Sequence, residues 1–138
     1  MAWLESSWLN REISRSLPSA DKPLLILLIS IHGLIRGQNL ELGRDADTGG
    51  QTKYVPELTK ALARQPDVAR VDLVTRRIVD PGVSDDDANP AEILGEKARI
   101  IRIDAGPEEY LPKESLWPYL DTFADNLFTW LQQQERTA

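Results

Sequence analysis

The stretch Leu24-Leu25-Ile26-Leu27-Leu28-Ile29-Ser30-Ile31 limits the possible folds more than any other, because every position except Ser30 is aliphatic. A strand without polar alternation needs cover on both faces, which is the situation of a parallel strand inside an α/β layer. It is also far too short to span a bilayer. A long polar run follows, His32 to Lys53, reading HGLIRGQNLELGRDADTGGQTK, and then Tyr54, Val55, Leu58 and Leu62 recur at helical spacing. Glycines at the start of that helix, Gly49 and Gly50, leave its first N–H groups uncovered, so an anion can approach the positive end of the helix dipole. The Gln51 amide adds a donor that can reach sugar or phosphate oxygens.

Two further strands are expected at Val71–Thr75 and Arg99–Asp104, the latter alternating as Arg99-Ile100-Ile101-Arg102-Ile103. The first helix is expected from Gln51 to Arg64, stopped by Gln65-Pro66, with Pro56 bending it or delaying its regular part. Asn89-Pro90 and Gly95 have the form of caps around a short helix. Asp80 to Asn89 reads as a solvated acidic loop rather than a metal site. The last helix is expected from Glu114 to Gln134, with Leu116, Leu120, Phe123, Leu127 and Leu131 on one stripe, widened by Tyr119 and Trp130. Trp3, Leu4, Trp8, Leu9, Ile13 and Leu17 would line a short helix within an N-terminal extension and linker (1–23). The alternation of elements predicts an incomplete Rossmann-like parallel sheet of three strands with flanking helices over 24–138, whose open edge favours self-association.

Composition narrows the function classes. A net charge of −6 argues against a nucleic-acid or anionic-membrane surface, and zero cysteines exclude disulfides and thiolate metal sites. The N-terminus lacks the pattern of a secretory signal, which is compatible with a cytoplasmic protein. The glycine turn lacks the spacing of a dinucleotide-binding fingerprint and of a P-loop, which leaves a sugar-phosphate or nucleotide-sugar site or a tight turn without ligand. Arg36, Arg44 and Lys53 put positive charge near the turn; the arginines can bind phosphate bidentately or pair with Asp45 and Asp47, the latter being the expected fate of most of them. His32, Arg76, Arg77 and Lys113 fall at the carboxyl edge of the expected sheet, where α/β folds bind ligands. No catalytic constellation and no metal-ligand set is present, and no cofactor is expected.

ISIHGLIRGQNLELGRDADTGGQTKYV, VDLVTRRI and IIRIDAGPEEYLPKESLWPYLDTF together resemble the N-terminal part of the sucrose-phosphate synthases, retaining glycosyltransferases of the two-domain GT-B architecture. The resemblance covers about Leu25 to Leu131. Sucrose synthases share the DTGGQ turn but have a segment closer to SPHGYF, without LIRG and ELGR. The resemblance implies transfer of glucose from UDP-glucose to fructose 6-phosphate with retained anomeric configuration, in a cleft between an acceptor-side and a donor-side domain. By position it implies that Gly49 and Gln51 contact fructose 6-phosphate, that the Gly50 N–H approaches the donor diphosphate, and that Lys113 helps bind the acceptor phosphate. Pro56 departs from the family pattern YVVEL. The donor domain and its paired glutamates are absent from these residues, so the chain alone is expected to be an inactive fragment. A sucrose synthase-like or other GT-B enzyme, or a non-catalytic sugar-phosphate-binding or assembly module, is the alternative.

Overall fold

The computed structural model of the chain describes residues 22–38, 40 and 49–137. The expected helix around Trp3 to Leu17, together with Arg44, Asp45 and Asp47, lies outside them. The element order is β1 (Leu24–Ile29), α1 (Gly50–Ala63), β2 (Val68–Arg76), a 3-10 turn (Asp85–Ala88), β3 (Ala91–Gly95), β4 (Ala98–Ile103), a 3-10 segment (Lys113–Tyr119) and α2 (Leu120–Thr137). The sheet order is β1-β2-β4-β3, with β1, β2 and β4 parallel and β3 antiparallel to β4.

The fold class is the expected α/β layer, but the sheet has four strands rather than three. The segment expected to be a short helix, Asn89 to Gly95, is instead strand β3 in a hairpin with β4, pairing Ala91 with Ile101 and Gly95 with Ala98. Five residues are too few to offset the cost of starting a helix, whereas a strand beside β4 satisfies the same backbone groups at once. β3 also alternates: Glu92 and Leu94 are half-buried while Ala91, Ile93 and Gly95 face out.

The two helices cover opposite faces. Val74, Ile101 and Ile103 pack with Phe123 and Leu127 of α2, joined by Tyr119, Trp130 and Leu131, so the expected stripe is the buried one. Burying Phe123 and Leu127 contributes roughly 1.5–3 kcal/mol each. The 3-10 segment precedes α2 because Pro118 has no N–H to continue an α-helical ladder. On the other face, Val68, Val71 and Ala98 pack against Ala63, with Leu62 beside them. The buried line of α1 is Thr52, Pro56, Thr59 and Ala63, whereas Tyr54 is exposed, which shifts the expected stripe. The threonines tolerate burial because their hydroxyls donate within the helix, Thr52 to the Gly49 carbonyl at 2.7 Å and Thr59 to that of Val55 at 2.8 Å. The helix starts at Gly50, so Pro56 does not delay it.

β2 is central, and a buried acid lies within it. Asp72 accepts from its cross-strand neighbour Arg99 at 2.6 Å and from Arg70 at 3.2 Å, and the Arg99 guanidinium lies over Trp130. β1 has a single neighbour among the described residues and leaves Leu25 and Ile29 exposed. No helix among the described residues is long and apolar enough to cross a membrane.

Candidate functional site

The candidate site lies at the carboxyl edge of the parallel strands, where α1 begins. Gly49 is the N-cap of α1, in an extended conformation, and it supplies no capping side chain. Neither Gly49 nor Gly50 has positive φ, and a Cβ built on either meets no described residue within 4 Å. Among the described residues, nothing covers this start of a helix, the geometry suited to a phosphate or diphosphate.

Gln51 is oriented by the end of β1. Its Nε2 donates to Ser30 Oγ at 2.5 Å and to the His32 carbonyl at 3.3 Å. His32 in turn lines a cavity of about 230 Å³ together with Ile31, Lys113, Leu116, Trp117 and Leu120. The structure thus brings Gly49, Gly50, Gln51, His32 and Lys113 to one corner of the sheet. Larger cavities lie elsewhere: one of about 580 Å³ near Lys60 and Lys97, and one of about 650 Å³ between β1 and α2. The glycine pair lines none of the three, and the smallest is linked to it through the Gln51–His32 hydrogen bond.

Among the described residues, the arginines near this edge are held by protein partners. Arg36 is buried and its Nε lies 3.4 Å from an Asp87 carboxylate oxygen, while the expected partners Asp45 and Asp47 lie outside the described residues. Asp87 is itself buried, which corrects the reading of that acidic run as wholly solvated. The run is drawn inward because a buried guanidinium needs a counter-charge. Arg76 donates to the carbonyls of Pro107 at 2.7 Å and Glu109 at 2.8 Å, fixing the loop after β4 instead of facing the glycine turn. Burial lowers the pKa of its guanidinium, and the Glu109 carboxylate acts in the opposite direction. Arg77 donates to the Ala88 carbonyl and to Asp104.

A second buried arginine network holds the loop after β1. Arg102 donates to the carbonyls of Ile35 at 2.8 Å and Asn89 at 3.2 Å, and to Glu92 Oε1 at 2.9 Å. Glu92 Oε2 accepts from the Gly37 N–H at 2.7 Å. A Cβ on Gly37 would lie 2.6 Å from that same oxygen, so glycine permits the close approach.

A probable sucrose-phosphate synthase from Oryza sativa is 47% identical to this chain over 131 residues, and the sucrose-phosphate synthase of Spinacia oleracea is 48% identical over 131. Each match covers 84% of this chain and 12% of the relative. The chain is homologous to a segment of sucrose-phosphate synthase. It spans about an eighth of the length of the curated relatives it matches. Two solved structures of the sucrose-phosphate synthase from Thermosynechococcus elongatus superpose with TM-scores of 0.54 and 0.57, at 26% and 30% identity. They cover 81% and 77% of this chain and 46% and 24% of the solved chains. No family model matches the sequence.

Within this segment, sequence reasoning missed Glu92, Arg102 and Trp117. Glu92 and Arg102 were hidden by the misassigned β3, since neither the hairpin nor its contact with Gly37 is visible in local spacing. Trp117 carried a signal that was available: a large aromatic outside the apolar stripe of the final helix, four residues from Lys113.

Proposed function

We propose that this chain forms the acceptor-side part of a sucrose-phosphate synthase that transfers glucose from UDP-glucose to fructose 6-phosphate, giving sucrose 6-phosphate with retained anomeric configuration. The observation that carries this reading is the α1 start: two glycines that no described residue covers, with Gln51 tied to Ser30 and His32, in a segment homologous to those enzymes. Gly49 and Gln51 contact fructose 6-phosphate, Lys113 binds its phosphate, and the Gly50 N–H faces the donor diphosphate. These groups orient and neutralise charge. The residues that grip the donor belong to a second domain, so the 138 residues by themselves are inactive. We place the protein in the cytoplasm.

Calorimetric titration of the chain with fructose 6-phosphate tests the binding half. Binding is expected, and Gln51→Ala and Lys113→Ala should each weaken it. A silent titration overturns the acceptor role, and sucrose 6-phosphate made from UDP-glucose by the purified chain overturns its inactivity.

The exposed apolar residues on β1, Leu25 and Ile29, favour a second reading, a non-catalytic assembly module that pairs through this edge.

A further inference from the structure

Within the 3-10 segment Lys113–Tyr119, Leu116 turns inward and Trp117 outward. Trp117 is 69% exposed and belongs to none of the apolar clusters among the described residues, a costly position for a large aromatic. Trp130 gives a contrast, being half-buried against the α2 core and capped by the Arg99 guanidinium. Trp117 lines the cavity of about 230 Å³ with Lys113 on its own segment and His32 at the end of β1. Ile31, Leu116 and Leu120 complete an aliphatic floor. Through His32, whose carbonyl accepts from Gln51, the same cavity adjoins the glycine start of α1.

An indole and a lysine around one small cavity, with the start of α1 tied to its rim through the Gln51–His32 hydrogen bond, match a molecule with a weakly polar ring face at one end and an anion at the other. A phosphorylated sugar is such a molecule: its axial C–H groups form an apolar patch that packs on an aromatic ring, while its phosphate needs cations and N–H donors. We infer that Trp117 is a specificity-determining platform for the sugar ring of the phosphorylated acceptor, holding the ring while Lys113 and the start of α1 take its polar groups. This rests on the acceptor reading above and adds the residue that separates a sugar phosphate from a bare phosphate. Lys113 supplies charge to either ligand, whereas the indole contacts only a ligand with a ring.

Titration calorimetry of the full chain with fructose 6-phosphate and, separately, with inorganic phosphate tests this division. Trp117→Ala should weaken fructose 6-phosphate binding roughly three- to tenfold and leave phosphate affinity within about twofold, since an aromatic contact of this kind is lost only for the sugar. Trp117→Phe should recover most of the loss, and Lys113→Ala should weaken both ligands. In the native chain, the Trp117 indole N–H resonance should shift on titration with fructose 6-phosphate and not with phosphate, a measurement that needs no variant to fold. Equal sugar-phosphate affinity in native and Trp117→Ala chains, or an unmoved indole resonance at saturation, overturns the platform and leaves the acceptor reading standing. Absence of fructose 6-phosphate binding by the native chain overturns both.

Discussion

Replacing Arg102 by methionine keeps most of the aliphatic stem and removes the guanidinium that joins β4 to the loop after β1. Three acceptors lose their donor: the Ile35 carbonyl, Glu92 Oε1 and the Asn89 carbonyl. Ile35 is 1% exposed, so water does not replace the lost bond, and a buried unsatisfied carbonyl costs about 1–3 kcal/mol. Glu92 is 23% exposed at its side chain and keeps the Gly37 N–H, so its stranded charge is partly solvated and adds about 1 kcal/mol. Asn89 is exposed and water substitutes there. The expected loss is therefore about 2–4 kcal/mol, a large share of the roughly 5–15 kcal/mol that holds a domain folded. Urea unfolding followed by far-UV circular dichroism measures it. Glu92→Gln, which keeps an acceptor for Gly37, should cost about 1 kcal/mol, and the double variant should fall short of the sum because the two residues share one network. A loss below about 1 kcal/mol in Arg102→Met, or strict additivity with Glu92→Gln, would refute the view that this pair anchors the loop.

Gly106 has φ near +69° and a Cβ there would lie 2.5 Å from the Tyr119 ring, so Gly106→Ala should destabilise by about 2 kcal/mol or more in thermal melts; a neutral result would show that the loop after β4 relaxes freely. Gly50→Ala should act with opposite signs on stability and binding. It should raise stability by about 0.5–1 kcal/mol, since alanine suits a helix better, while weakening the affinity for inorganic pyrophosphate several-fold; unchanged pyrophosphate affinity speaks against an anion over that position. Sedimentation of the native chain should show concentration-dependent association through β1, reduced by Leu25→Glu, and a native monomer at all concentrations would remove the second reading.

Much of the architecture was legible because its signals are local. The aliphatic run into β1, the alternation in β4 and the stripe from Leu116 to Leu131 each show their period within a few residues. β3 was not legible because Asn89, Pro90 and Gly95 also form the punctuation of a helix, and its hairpin turns on Glu96-Lys97 instead of the asparagine-glycine pair that marks such turns. The buried face of α1 was misread for a different reason: threonine hydroxyls bonded to helical carbonyls behave as small core residues, a choice that hydropathy does not show. Partner choice among charges was the least visible. Arg102 and Ile35 stand 67 positions apart, and no spacing rule selects that carbonyl over another.

The same separation explains how anions are recognised at this edge. Arg36 and Arg76 are the candidates for a phosphate that the sequence offers there, yet their buried guanidinium groups, like that of Arg102, go to protein partners: Asp87, loop carbonyls and Glu92. A guanidinium committed in this way has a fixed position and gives its loop a fixed position, which suits a scaffold better than a ligand clamp. Among the described residues, charge at this corner then comes from the α1 N–H groups, worth about half a charge, with Lys113 and the exposed Lys53 of the first helical turn. Phosphate affinity at such a corner should weaken only modestly as salt rises, because salt screens the few full charges and the helix end while the short-range hydrogen bonds of the N–H groups persist. A steep salt dependence, of the kind several mobile arginines produce, would mean that the buried arginines release their partners to reach the ligand. Fructose 6-phosphate titrations at low and high sodium chloride separate the two.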